Sequence, residues 1–295
     1  CFMKQIYIIA ILLLPHLTFS QLVFKPSENH NSYLYLEDRM LFVEKEITLL
    51  ANNKTDAAPN IFLRNQSQLL QGNANSKNAG DGKISVFQEG VATSYTYNYW
   101  SAPVIDPNLN ATFGTIFFDP QDRTKSNPAI VTSELNGTSI PLKISNKWIY
   151  KLSGTDYTDW EYVGDRFKVS PGEGFTMKGV AGTNQNVIIY DIANNPGGNQ
   201  RYDFRGIPNS GNYSLSIKEG ESKLVGNPYP SALDLNKFLL ENTSTTGIAY
   251  FWDSKSTGSH YLNEYEGGYG AFSPGAGING YVPAIFNKFD GYGNS

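Results

Sequence analysis

The sequence predicts an all-β fold: a short β-solenoid-like or meander region, followed by duplicated β-sandwich units of jelly-roll type. Aromatic residues make up 14% of the chain, with 19 Tyr and 17 Phe, against 17% charged residues. Rings and β-branched side chains suit a pleated, half-buried surface. Short apolar runs recur between breaks built from the 28 Gly, the 15 Pro and many Asn, residues whose backbone preferences end strands. A Ser-Pro-Gly motif also occurs twice in similar aromatic settings, the mark of a repeated unit.

The first twenty residues differ from the rest. Met3 and Lys4 form a short positive stretch, and Ile6 to Leu14 is almost entirely apolar. "LTFS" then places Thr18 and Ser20 at the third and first positions before Gln21. This is the anatomy of a secretory signal peptide over residues 1–20, too short and wrongly flanked for a stable membrane span. Cys1 and Phe2 lie upstream of the expected initiator, Met3. The mature chain is expected to begin near Gln21, without cysteine and without a membrane span, so its core rather than disulfides must hold it. The expected location is secreted or cell-surface, outside the outer membrane. A net charge of −4 and the lack of a basic run argue against a nucleic-acid partner.

Residues 21–93 form the solenoid-like region. "SYLYLED" (32–38), "MLFVEKEITLL" (40–50), "NIFLRNQSQLLQG" (60–72) and "KISVFQEG" (83–90) each suit strands. In "NIFLRNQSQLL" a strand, a polar corner and a second strand follow one another, as in a solenoid rung. An antiparallel meander is the competing reading, because no fixed period emerges.

From residue 94 the texture becomes more aromatic. Tyr95, Tyr97 and Tyr99 in "SYTYNYW" alternate onto one strand face. Such rings suit either a sugar-stacking platform or sandwich packing. Tyr97, Trp100 and Trp252 are the candidate glycan-stacking residues. "SALDLNKFLLENT" (231–243) reads as a helix capped by Asp234, with Leu235, Phe238 and Leu239 on one face.

A shift of 103 residues, from 170 to 273, lays "SPGEGF" on "SPGAGI" and Trp148 on Phe251. Two related units result, one in residues 94–218, which include a connector, and one in 219–295, expected to be truncated. The extra residues of the first unit, near 107–140, read as a surface insertion. Ser170, Pro171, Gly172 and Gly174, with Ser273, Pro274, Gly275 and Gly277, form a structural turn signature: Pro sets φ and Gly permits positive φ. Gly275–Gly280 also matches G-x-G-x-x-G, but a dinucleotide site needs a helix after the loop. Tyr281-Val282-Pro283 cannot open one, so no nucleotide cofactor is expected.

Site chemistry is sparse. Beyond residue 20 the only histidines are His30 and His260, and no H-E-x-x-H, C-x-x-C, EF-hand or G-x-S-x-G pattern occurs. Asp156 with Asp159, or Asp119 with Asp122, could take a surface calcium, although turn carboxylates are more often simply solvated. No catalytic, cofactor-binding or metal-ligating residue is assigned.

The segments "YNYWSAPV", "SPGEGFTMKG", "YDFRG", "KLVGNPYPSALD" and "YFWDS" together resemble recurring signatures of large exported proteins of Bacteroidota. The resemblance covers nearly all of residues 21–295. It implies export by the type IX secretion system through a C-terminal sorting domain that this sequence does not show, and it carries over no catalytic residue. The expected function is a non-catalytic extracellular or cell-surface module, structural or adhesin-like, within a larger secreted protein. The alternative is a carbohydrate-binding appendage of a secreted glycan-degrading enzyme. Expected partners are an extracellular glycan or surface protein, and the secretion machinery.

Overall fold

A computed structural model describes residues 21–52, 58–75, 77–106, 113–275, 279–292 and 294. The expected signal peptide (1–20) and Gly277 lie outside these residues. Strands dominate, as the composition predicts, and no described helix is long and apolar enough to cross a membrane.

Residues 22–91 wind as a parallel solenoid. Leu22–Phe24 pairs in parallel with Ile47–Leu49, Leu34–Glu37 with Ile61–Arg64, and Met40–Val43 with Gln68–Gln71. Ile61–Arg64 then pairs in parallel with Ile84–Val91. The solenoid reading therefore holds over the meander. The corner in "NIFLRNQSQLL" turns at Asn65, whose φ of 53° suits Asn. Asparagines at the breaks do more than face solvent. Asn60 is fully buried, donates to the carbonyls of Ser32 and Leu50, and accepts from the Lys83 amide, so it satisfies backbone groups that a sharp corner strands.

Ile84–Val91 is the hand-off strand. Parallel to Ile61–Arg64 on one side, it is antiparallel to Asn199–Pro208 on the other, from Ile84↔Gly206 to Val91↔Asn199. Asn199–Pro208 also pairs with Phe117–Pro120 and Val104–Ile105. One sheet thus runs across the boundary drawn at residue 93. Beneath it, one core joins Ile47, Leu63 and Ile84 of the solenoid to Trp100, Phe117, Phe175 and Phe204.

Here the reading of residues 107–140 as a surface insertion is corrected. Residues 107–112 are outside the described set, but Phe113, Ile116 and Phe117 are buried at the core's centre. Phe113 and Phe117 lie 4.6 Å apart, and Phe117 is 4.6 Å from Phe204. The apolar "FGTIFF" stretch outweighs its Pro/Asn-rich surroundings because three large side chains gain far more from burial than loop composition opposes.

A buried polar network pins this junction. Asp203, fully buried, accepts from the Ser85 hydroxyl at 2.6 Å, the Ser126 hydroxyl at 2.7 Å and the Arg205 guanidinium at 2.7 Å. Arg64, also fully buried, donates to Ser85 Oγ and to the Arg123 carbonyl, with its guanidinium 3.6 Å from the centre of the Phe87 ring. Burial pulls Arg64 down to about 10, an effect that Asp203 opposes.

Both Ser-Pro-Gly turns carry the expected left-handed glycine, Gly172 at φ 81° and Gly275 at φ 80°. In the first, the Glu173 amide closes on the Ser170 carbonyl. A Cβ on Gly174 would lie 2.9 Å from the Leu224 backbone, so that glycine admits the neighbouring chain. The flanking strands pair differently. The first turn leads into Phe175–Lys178, which pairs with Tyr97–Trp100. The second closes a hairpin between Glu266–Phe272 and Tyr281–Val282. The G-x-G-x-x-G match therefore opens onto the strand Tyr281–Val282 and not onto a helix.

The expected helix is Leu235–Glu241, with the Asp234 side chain accepting from the Lys237 amide. Among the described residues beyond 209, the buried apolar side chains are Pro228, Pro230, Leu239 and Tyr265, so the C-terminal sheet is held largely by polar and ring contacts. Lys178, 3% exposed, is the centre of one. Its ammonium lies 3.8 Å from the Trp148 ring centre and 4.6 Å from that of Tyr97. It donates to the Tyr265 hydroxyl at 2.7 Å and to His260 Nδ1 at 3.1 Å. His260 stacks on Trp148 at 4.6 Å, and its Nε2 donates to Asn136. Among the described residues, no carboxylate pairs with this ammonium. Burial pulls Lys178 down to about 7, while burial and Lys178 lower His260.

These contacts lead to two expected outcomes. Replacing Asp203 with Ala leaves the buried Arg205 without its ion-pair partner and removes the carboxylate that opposes the effect of burial on Arg64, and is expected to cost about 3–5 kcal/mol, read from the urea midpoint. For Lys178 the folded chain releases a proton near 7 that the unfolded chain holds to about 10.4. The unfolded state therefore binds more protons between those values, and stability rises with pH across that window. The denaturation midpoint of the parent chain is expected to climb from about pH 7 to about pH 9, and Lys178→Met to remove most of that slope.

Candidate functional site

The strand Tyr97–Trp100 sorts its side chains by pleat. Tyr97 and Tyr99 point to one face, Asn98 and Trp100 to the other. Trp100 is 8% exposed and packs against Tyr202 and Phe204 at 5.4 and 5.7 Å. Tyr97 is engaged by Lys178 and lies edge-on to Trp148 at 6.3 Å. Trp252 sits on another sheet, against Tyr269 at 5.1 Å and Phe289 at 5.7 Å. The three rings expected to stack on sugar are thus not brought together. Trp100 is a core residue, because the opposite pleat of its strand faces the main cluster.

The end of that strand nevertheless lines an open cleft of about 470 Å³. One wall is the solenoid corner at Asn65–Gln68 with the hand-off strand at Val86–Gln88, and the other is the segment 225–232. The second wall is fastened to the first. The Leu69 amide donates to the Pro230 carbonyl at 2.9 Å, and the Ala232 amide to the Gln68 side chain at 3.0 Å. The Asn227 side chain folds its own loop, accepting from the Tyr229 amide and donating to the Ser231 carbonyl. At the floor, a Cβ on Gly226 would stand 2.4 Å from Ser101 Cβ, so only glycine lets the two segments close.

The lining is uncharged. No Asp, Glu, Lys, Arg or His is among its residues, while carboxamides come from Asn65, Gln66, Gln68, Gln88 and Asn227. The side chains of Gln66 and Gln88 make no hydrogen bond to other described residues. Two buried polar groups of lining residues, the Trp100 indole N–H and the Ser101 hydroxyl, likewise lack a partner among the described residues. Burial and the neighbouring Tyr269 hydroxyl push the Tyr99 phenol far above its ordinary value, so it stays protonated as a neutral donor. Donor and acceptor groups beside rings, without formal charge, suit an uncharged polyhydroxylated ligand.

Three of the four carboxylates considered for calcium accept from backbone amides. Asp159 accepts from the amides of Thr155 and Asp156, Asp122 from those of Thr124 and Lys125, and Asp119 from that of Leu142. Among the described residues, no group of three or more His, Cys, Asp or Glu side chains converges.

Sequence reasoning missed the cleft because its lining comes from four separate segments of the chain. Its one local signal was the polar corner "RNQSQ", read as a turn and no more. No curated protein and no solved structure matches the chain. A family profile, Domain of unknown function (DUF8693), matches residues 29–279 and so takes in both walls of the cleft and the Ser-Pro-Gly turns up to Gly275. The chain belongs to the DUF8693 family.

Proposed function

We propose that this chain is a non-catalytic, adhesin-like module of a larger secreted or cell-surface protein, and that it adheres by binding uncharged carbohydrate in the cleft. The apolar segment before Gln21 supports export, and the exported proteins that the sequence resembles support a place at the cell surface. The observation that carries the binding reading is the lining itself: carboxamides beside Tyr99, with no charged side chain. A carboxamide offers a donor and an acceptor on one planar group, which matches adjacent sugar hydroxyls. The aromatic faces suit the apolar face of a pyranose. Glycoside hydrolysis requires two carboxyl groups flanking the bond, and the lining provides none, so the cleft is read as one that holds sugar without cleaving it.

Glycan-array screening of the purified chain, followed by calorimetry, tests this reading. Binding to neutral glycans is expected, with acidic glycans no better. The double variant Gln66→Ala/Gln88→Ala removes carboxamides that bond nothing within the described chain, so folding is expected to be unchanged while affinity falls about tenfold or more. A blank array, or full affinity in that variant, would defeat the proposal.

A further inference from the structure

Tyr99 belongs to two neighbourhoods at once. It lines the cleft, and its ring lies 5.8 Å from Trp160 on the adjoining hairpin. Its hydroxyl meets the Tyr269 hydroxyl at 3.2 Å, which carries the contact from the first unit onto the C-terminal sheet. Tyr269 stands directly opposite Trp252 in the pairing of Ala249–Ser254 with Glu266–Phe272, with the ring centres 5.1 Å apart. Tyr250, two residues before Trp252, emerges on the same face. The rings therefore continue out of the cleft, one after another, across the seam between the two units.

This surface is partly open. Tyr269 is 46% exposed and Tyr250 55%, while Tyr99, Trp160 and Trp252 are half-buried. It is also orientated by the backbone beneath it. A Cβ on Gly267 would lie 2.6 Å from the Trp252 ring, so the indole rests against bare backbone at that point. A ring held in this way loses little freedom when a ligand covers it, the condition for a pre-formed stacking surface. Successive rings at tilted angles, 52° between Tyr99 and Trp160 and 66° between Trp252 and Tyr269, follow a twisting chain rather than a flat surface.

The geometry points to a ligand longer than one sugar: a stretch of neutral oligosaccharide that starts in the cleft and continues along Tyr99, Tyr269 and Trp252, with Trp160 beside it. This rests on the reading of the cleft as a carbohydrate site and adds the class of ligand, a chain rather than a terminal sugar. It also gives the seam a role. A bound chain touches both units, which otherwise meet here through hydroxyl and ring contacts, and therefore fastens the C-terminal sheet to the first unit.

The test uses the whole chain and neutral gluco-, xylo- and manno-oligosaccharides, each as monosaccharide and hexasaccharide, titrated by calorimetry. For the series that binds, the hexasaccharide is expected to bind about tenfold or more tightly than the monosaccharide. Trp252→Ala is expected to remove that gain and leave monosaccharide affinity unchanged, whereas Gln66→Ala/Gln88→Ala weakens both lengths. A second measurement needs no variant. The hexasaccharide, and not the monosaccharide, is expected to slow amide exchange in Ala249–Ser254 and Glu266–Phe272. Equal affinity for both lengths, or a length gain that survives in a folded Trp252→Ala variant, would overturn the extended track and leave the cleft reading standing. Unchanged exchange in those strands with hexasaccharide bound would overturn it as well. No binding at any length overturns both.

Discussion

The junction between the solenoid and the rest of the molecule depends on Asp203. Its carboxylate is fully buried, yet it is met by the hydroxyls of Ser85 and Ser126 and by Arg205, and through Ser85 it is tied to Arg64. These residues come from the hand-off strand, from the segment after Phe117–Pro120, from Asn199–Pro208 and from the middle solenoid rung. Such a cluster is costly to bury and worth having only when every member is satisfied. It therefore accepts one register of Asn199–Pro208 on Ile84–Val91: slipping by one residue would turn Asp203 towards the opposite face. That register places Phe204 against Phe117 and Tyr202 against Trp100, and the aromatic core is built on it.

Strength is distributed unevenly along the chain. Residues 22–208 share one continuous apolar core, whereas the C-terminal sheet leans on rings, hydroxyls and the caged ammonium of Lys178. Among the described residues, that ammonium has aromatic faces and neutral hydrogen-bond partners in place of a counter-ion. Cation–π attraction favours its charge while burial opposes it. Contacts of this kind orient two parts of a molecule at lower cost than a packed interface, and loosen more readily. A binding surface laid across such a seam gains from any ligand that spans it.

Much of the fold was legible in particular residues. The rung in "NIFLRNQSQLL", the Asp234 cap and the positive-φ glycines of both Ser-Pro-Gly turns stand where local chemistry put them. Local composition misled in the stretch near 107–140, where Pro and Asn suggested surface while Phe113 and Phe117 went to the centre. It also misled over Trp100, whose ring looked available in sequence but faces the core. Of the cleft carboxamides, those of the corner Asn65–Gln68 showed only as a turn, and Gln88 carried no signal, since an isolated Gln is among the least informative residues in a sequence.

The sequence by itself therefore determined the all-β class, the solenoid rungs, the turns and the low charge of the chain, because each rests on composition, periodicities and backbone preferences that act over a few residues. Only the tertiary structure decided which strand closes the solenoid, which tyrosines reach each other and where a cleft opens. Those outcomes depend on pairings between residues a hundred or more positions apart, such as Ser85 with Asp203 and Tyr99 with Tyr269. Such pairings are selected by burial and hydrogen bonding in the assembled core, which no short stretch of the chain contains.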